Sequence, residues 1–255
     1  MDLGLHGARA LVLGSTSGLG RAVARTLAAE GVEVAVSGRR AATAEATASA
    51  VGARLAVAGD LSVPGTGERL VTEAAAGLGG LDICVVNTGG GTPGGIMSTA
   101  GADDRAYHSM LRPALEVARA AAPLLADGGR GRLLFLTARS ILETSTTLAL
   151  SSVMRSGVAA AARSLAVELA PAVLVNVVAT GQFDTPALQR YEQFRSDSEG
   201  RPAEEVRAEH LRDIPLGRLG TTEEFADVVT FLCSARAGFV TGSVIRVDGG
   251  AVQGF

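Results

Sequence analysis

Short runs of valine, isoleucine, leucine and alanine alternate along the chain with longer amphipathic stretches rich in alanine. The short runs predict strands at 10–13, 33–37, 54–58, 83–87, 132–137, 174–178 and 244–247. The longer stretches predict helices near 18–30, 41–51, 66–78, 103–125, 152–170 and 222–235. Within the strand candidates the apolar residues are nearly continuous, the pattern of a sheet covered on both faces. This alternation predicts an α/β chain: a doubly wound parallel sheet of seven strands flanked by helices on both faces.

Two stretches depart from that rhythm. The glycine-rich stretch 89–95 follows a strand candidate directly, and it reads as a loop over a ligand, not a domain boundary. The polar stretch 186–212 carries a helical charge pattern at Arg201-Pro202-Ala203-Glu204-Glu205-Val206-Arg207. It reads as an insertion able to cover a pocket, a lid over residues 186–213, with a plain surface excursion as the other reading. Nothing resembling a linker divides the chain, so residues 1–255 are expected to form a single domain.

Composition narrows the class. The chain is 47% hydrophobic but only 4% aromatic, so its core has to be built from Ala, Val and Leu with helices lying close to the sheet. The formal net charge is -3 with both signs mixed along the chain, and no basic stripe or aromatic platform suits nucleic acid. No apolar run reaches the ~18 residues of a membrane helix. The opening Met1-Asp2-Leu3-Gly4-Leu5-His6-Gly7 is too short and polar for a signal peptide, which predicts a cytoplasmic protein. Cys84 and Cys233 lie in apolar segments, which predicts buried free thiols. No cluster of His, Cys or carboxylates has metal-ligand spacing, and no Ser-His-Asp arrangement can be assembled.

Gly14-Ser15-Thr16-Ser17-Gly18-Leu19-Gly20 lies between the first strand candidate and the first helix candidate. Small residues there let the backbone approach a pyrophosphate, and the helix N-terminus offers unpaired N–H groups and a partial positive charge. The second strand ends in Gly38-Arg39-Arg40. No acid stands where one would bond a ribose diol, and two guanidiniums suit a 2′-phosphate. Asp60-Leu61 ends the third strand, where a carboxylate can meet the adenine edge, and Asn87 ends the fourth. A strand-end cap or a solvated charge would explain any one of these residues. Together they mark the C-terminal ends of the strands, where such sheets bind ligands, and they predict NADP(H).

These residues resemble the short-chain dehydrogenase/reductase family, and the likeness runs over nearly the whole chain. Gly14 to Gly20 is similar to its glycine-rich turn, with Leu13 where the family has Thr. Asn87-Thr88-Gly89-Gly90 resembles its N-N-A-G segment, and Val175-Asn176-Val177-Val178-Ala179-Thr180-Gly181 resembles V-N-x-V-x-P-G with Thr180 in place of Pro. Pro215-Leu216-Gly217-Arg218 and Val247-Asp248-Gly249-Gly250 match its C-terminal landmarks. The resemblance implies a Rossmann-type fold, Asn87 and Gly89 beside the cofactor, and a carboxamide site lined by Gly181, Phe183 and Thr185. It also implies a dimer or tetramer. Ala159-Ala160-Ala161-Ala162 reads as a small outer helix face that permits close approach of a second copy, or else as packing on the sheet.

The family's proton-transfer site consists of a Tyr, a Lys four residues on, a Ser and an Asn. This chain has no lysine, all 23 of its basic residues being arginine, and its only tyrosines are Tyr107 and Tyr191. By spacing, the four places fall on Ser151, Arg155, Ala138 and Met110. Leu150, Ser151 and Arg155 resemble the Leu-Ser-x-x-x-Arg segment of a subgroup of the family. Arg155 can donate to ribose hydroxyls and favour a nearby anion, but it cannot pass protons along. Ser151 can hydrogen-bond a carbonyl oxygen and is a poor acid. Tyr191 on the lid and Ser140 after the fifth strand are replacement candidates, with lid packing and turn formation as their other readings. Glu143, His6 and His210 read as surface residues, and Tyr107 and His108 as helix-packing or interface residues.

These readings predict an NADP(H)-dependent oxidoreductase, ketoreductase-like, with a non-standard or substrate-assisted proton source. Its substrate is a small or medium-sized cyclic or polyketide-like molecule, in a pocket widened by Ala138 and Ser151. The alternative is a non-redox cyclase or isomerase, or a cofactor-binding protein, on the same scaffold.

Overall fold

The computed structural model describes residues 2–143 and 145–253, and every predicted strand is present within two residues of its expected place. In chain order the strands are β1 (Arg9–Val12), β2 (Glu33–Gly38), β3 (Leu55–Ala58), β4 (Ile83–Asn87), β5 (Gly131–Ala138), β6 (Val173–Thr180) and β7 (Val244–Val247). They form one sheet in the order β3-β2-β1-β4-β5-β6-β7, and every pairing is parallel. The helices are α1 (Gly18–Ala29), α2 (Ala41–Val51), α3 (Thr66–Leu78), α4 (Asp103–Ala106), α5 (Arg112–Asp127), α6 (Ala149–Glu168), α7 (Pro186–Glu199), α8 (Ala203–Arg212) and α9 (Thr222–Cys233).

The continuous apolar strands are explained by two cores, one on each face. Successive strand residues point to opposite sides. Leu11, Leu133 and Phe135 therefore join Leu70, Val117 and Ala159 under α3, α5 and α6, while Val12, Val34 and Leu134 join Leu27 and Phe225 under α1 and α9. The strand order reverses between β1 and β4, so the turn after β1 and the loop after β4 diverge there and leave a crevice at their C-terminal ends. At the opposite end, the buried Asp82 carboxylate accepts from the backbone N–H, Nε and Nη2 of Arg9 at 2.9, 2.8 and 3.0 Å, tying β4 to β1.

Three local features differ from the sequence reading. The helix predicted from 152 begins at Ala149, which places Ser151 inside its first turn. The helix predicted over 103–125 is broken by a π-turn at Tyr107–Leu111. Pro113 has no N–H to close a bond to the Ser109 carbonyl, and the wider turn accommodates that gap before α5 continues. In the alanine run, Ala159 and Ala162 face the sheet core and Ala160 faces outward. The outer stripe of α6 is Val153, Ala160 and Val167, with the two valines 53% and 81% exposed.

Candidate cofactor and active site

The turn after β1 is shaped by contacts that exclude β-carbons. Gly14 has φ +60, and a β-carbon there would lie 2.5 Å from the Asn87 carbonyl oxygen; one at Gly20 would lie 2.4 Å from the Gly14 oxygen. Asn87 donates through Nδ2 to the Gly14 carbonyl at 3.0 Å, so its side chain holds the turn in place. Ser15 is fully buried: it donates to the Val12 carbonyl at 2.7 Å and accepts from the Ser37 N–H at 2.8 Å. The outer wall of the turn is left to Thr16, Ser17, Gly18 and Leu19, with Ser17 as N-cap of α1. The first N–H groups of a helix have no acceptor within it, which is what an anion site requires.

At the end of β2, a β-carbon on Gly38 would sit 2.4 Å from Thr16 Cγ2. Arg39 and Arg40 follow, both exposed, and neither forms a salt bridge among the described residues. Asp60 Oδ1 accepts from the Ser62 N–H at 2.9 Å and from its hydroxyl at 2.8 Å. These bonds, the backbone one foremost and helped by the charge of Arg39, hold the carboxyl below its ordinary range against the effect of burial. Oδ2 takes part in neither of these two bonds. The Leu61 carbonyl accepts from Nη2 of the buried Arg112 at 3.1 Å, which pins the end of β3 to α5.

The other half of the crevice is built on α6. Arg155 donates from Nε to Ser151 Oγ at 3.1 Å, from Nη1 to the Leu136 carbonyl at 3.2 Å and from Nη2 to the Gly89 carbonyl at 3.1 Å. Its guanidinium thus joins the ends of β5 and β4 to the first turn of α6. Burial draws its pKa down to about 10, with no carboxylate opposing the shift, and it remains a cation at neutral pH. The glycine loop lies on this turn: the Gly94 N–H donates to the Thr147 carbonyl at 2.6 Å, and the Gly94 carbonyl accepts from the Ala149 N–H at 3.1 Å. A β-carbon on Gly91 would be 2.9 Å from Met110 Cε and 3.7 Å from the Ser151 backbone nitrogen. Met110 is fully buried with Ala102, Ala106 and Leu150. Ser140, in the turn after β5, is buried with its Oγ unpartnered in the structure, and Glu143 pairs with Arg139 at 2.8 Å.

Gly181, Phe183 and Thr185 close the remaining side. A β-carbon on Gly181 would be 2.5 Å from Asp248 Cα. The Phe183 ring turns into the core against Phe225, centroids 5.2 Å apart. Thr185 caps α7 by accepting from the Leu188 N–H, and its Cγ2 lies 3.5 Å from the place of a β-carbon on Gly18. Farther along α7, the Tyr191 hydroxyl bonds Thr147 Oγ1 at 2.8 Å and its ring stacks on His210 at 6.0 Å. His210 is not on the surface: it is 4% exposed, with Nδ1 3.2 Å from Oε1 of the equally buried Glu192. Arg207 of α8 reaches both Glu192, at 3.4 Å, and Asp184, at 3.5 Å.

A family model described as enoyl-(acyl carrier protein) reductase matches residues 14–252. The 3-oxoacyl-[acyl-carrier-protein] reductase of Aquifex aeolicus is 31% identical, over 98% of this chain and 99% of its own. The 1-cyclohexenylcarbonyl-CoA reductase of Streptomyces collinus is 32% identical, over 94% of this chain and 85% of its own. Among solved structures, the L-sorbose reductase of Gluconobacter frateurii, complexed with NADPH and L-sorbose, superposes with a TM-score of 0.91 at 26% identity over all of both chains. The chain belongs to the short-chain dehydrogenase/reductase family. As a member of that family it is an oxidoreductase working with a nicotinamide cofactor.

In this short-chain dehydrogenase/reductase the fold brings the glycine turn, Asn87, Gly89, Ser151, Arg155 and Thr185 around one crevice through the contacts above. Tyr191 touches its rim at Thr147. The sequence reading missed Arg112, the Gly94 bridge and the Glu192–His210 pair. Gly94 had a signal in the length of its glycine run. Glu192 and His210 had none, because they meet only when α7 folds back on α8.

Proposed function

We propose that the chain is an NADP(H)-dependent reductase, ketoreductase-like, that belongs to a subgroup lacking the usual Asn, Ser, Tyr and Lys. The proton comes from solvent or from the substrate, a small or medium-sized cyclic or polyketide-like carbonyl compound. When bound, the cofactor supplies a hydride. Arg39 and Arg40 hold the 2′-phosphate, Asp60 the adenine, the turn Gly14–Gly20 the pyrophosphate, and Gly181, Phe183 and Thr185 the carboxamide. The observation that carries this reading is Arg155, whose one guanidinium links Gly89, at the dinucleotide end, to Ser151, at the substrate end. The 1-cyclohexenylcarbonyl-CoA named for the Streptomyces collinus relative supports the cyclic part of the reading.

Helices α7 and α8 serve as the lid, held down at Tyr191 and Thr147. The Val153–Ala160–Val167 stripe, one residue every seven along α6, serves as a contact with a second copy. Fluorescence titration with NADPH, followed by loss of its absorbance with a panel of carbonyls, tests the function. Binding without oxidation of NADPH by any of them would favour the non-redox alternative. Sedimentation at the monomer mass of 25.7 kDa would remove the dimer.

A further inference from the structure

The sheet has a second opening, at the end far from the crevice. A cavity of about 210 Å³ lies there between the N-terminal segment, the starts of β4 and β5 and the end of α9. One water needs only roughly 10–15 Å³, so a ligand of several atoms has room. Leu5, Ala8, Ile83 and Cys233 form an apolar side, and Arg130 and Arg132 stand with Asp82 on a charged one.

The charged side carries a surplus of cation. Arg132 is half-buried, and all its partners are neutral oxygens. Nη1 donates to the carbonyls of Arg130 and Gly131 at 3.2 and 3.1 Å, and Nη2 to that of Ser234 at 3.2 Å. Nη2 keeps a second N–H, and the buried Nε–H has no acceptor among the described residues. Burial draws the pKa of this guanidinium below its ordinary value, and no carboxylate among the described residues pairs with it. Ser234 ends α9, and the partial charge of a helix C-terminus, about half an elementary charge, steadies Arg132 without neutralising it. Arg130 is exposed and has no salt bridge among the described residues. Asp82 does not balance the pair, because both its oxygens already accept from Arg9. Glu33 and Asp127 also act on Arg9.

We propose that this cavity binds a small organic carboxylate, with its charge on Arg132 and Arg130 and its apolar body against Leu5, Ile83 and Cys233. Nε and Nη2 are the two nitrogens from which a guanidinium grips a carboxylate side-on, and they are the two with N–H groups to spare. A bare phosphate would leave the apolar side empty, and a neutral molecule would leave the cations unpaired. The site shares no residue with the crevice and needs no bound dinucleotide.

Isothermal titration with benzoate, butyrate, benzyl alcohol and inorganic phosphate tests this. Benzoate or butyrate should bind at one site per chain. Arg132→Met should weaken that binding at least ~10-fold, the worth of a charge-assisted contact, and Arg130→Ala about 3-fold, as suits an exposed cation. Benzyl alcohol, which keeps the body of benzoate and lacks its charge, should bind at least ~10-fold more weakly. Saturation with NADP+ should leave the carboxylate affinity unchanged. An arginine Nε–H resonance that is missing from Arg132→Met should shift as benzoate is added. Should that variant fail to fold, Arg132→Lys identifies the resonance and Arg130→Ala still reports on affinity. Failure of both carboxylates to bind at millimolar concentration overturns the site, as does binding that NADP+ displaces or that these substitutions leave unchanged. Phosphate binding as tight as benzoate, or benzyl alcohol binding as tight, overturns the assignment to an organic carboxylate.

Discussion

Thr16 and Gly38 fit against one another at the mouth of the proposed adenosine site, with Thr16 Cγ2 2.4 Å from where a β-carbon on residue 38 would stand. Gly38 thus has a packing role beside the one proposed for it toward a 2′-phosphate. Introducing that acid, Gly38→Asp, should not convert the chain to NADH use. It should displace Thr16, cost about 1–3 kcal/mol of stability and weaken both dinucleotides. Pairing it with Thr16→Gly should recover stability in a thermal melt. A single variant that binds NADH tightly at unchanged Tm would contradict this.

Arg39 is expected to set the cofactor preference. Its guanidinium is exposed, has no salt bridge, and stands beside Asp60 at the end of β2. Arg39→Ala should raise the Kd for NADPH by about 10–100-fold, the worth of one charge-assisted bond, and leave NADH nearly unchanged. Isothermal titration with both dinucleotides measures this, and equal wild-type affinities would end it.

Tyr191 is expected to be a latch and not the proton donor, because its hydroxyl is engaged with Thr147 and its ring with His210. Tyr191→Phe should reduce kcat less than about 10-fold, whereas loss of a positioned general acid costs ~10²–10⁴. A fall of the larger size, with a lost basic limb in the pH profile, would restore Tyr191 as the acid.

The α7–α8 pair should loosen in mild acid. Burial lowers the pKa of His210 more than the hydrogen bond and charge of Glu192 raise it, and Arg195 and Arg139 add to the lowering; Arg207 meets the same glutamate. A group with a depressed folded pKa stabilises the fold above its unfolded pKa, and that contribution is lost as pH falls through the folded value. Hydrogen exchange in 186–213, corrected for intrinsic rates, should therefore quicken below about pH 6.5. His210→Gln should flatten the profile, and a profile unchanged by that substitution would contradict the assignment.

The opposite end of the sheet should respond to much stronger acid. Burial works to raise the pKa of Asp82, but the side-chain and backbone hydrogen bonds from Arg9, with its charge, outweigh burial and hold it below the ordinary range. Its contribution is complete above about pH 4 and is lost as pH falls through the depressed value. Asp82→Asn should cost about 1–3 kcal/mol at neutral pH and lessen the slope of acid unfolding.

The strands were legible because each core face takes every second residue of an apolar run, and Leu11 with Val12 carries that information locally. The glycine turn was legible for the same reason: Gly14, Gly18 and Gly20 announce close approach wherever they stand. Gly38 was read correctly in place but incompletely in cause, since its partner Thr16 is 22 residues away in sequence. The direction of the Arg155–Ser151 bond could be read only from coordinates, although one helical turn between the two predicts their contact. His210 looked like a surface residue because a lone histidine in a charged stretch gives no sign of a buried glutamate on another helix. The alanine run misled in the opposite way, because four identical residues do not say which of them faces the sheet.

Both cysteines are buried, with burial pushing each thiol up to about 12, and the chain contains no lysine at all. It therefore presents neither a ready thiolate nor a side-chain amine to its surroundings. Electrophiles that alkylate proteins, conjugated enones and aldehydes above all, find those two usual points of attachment closed.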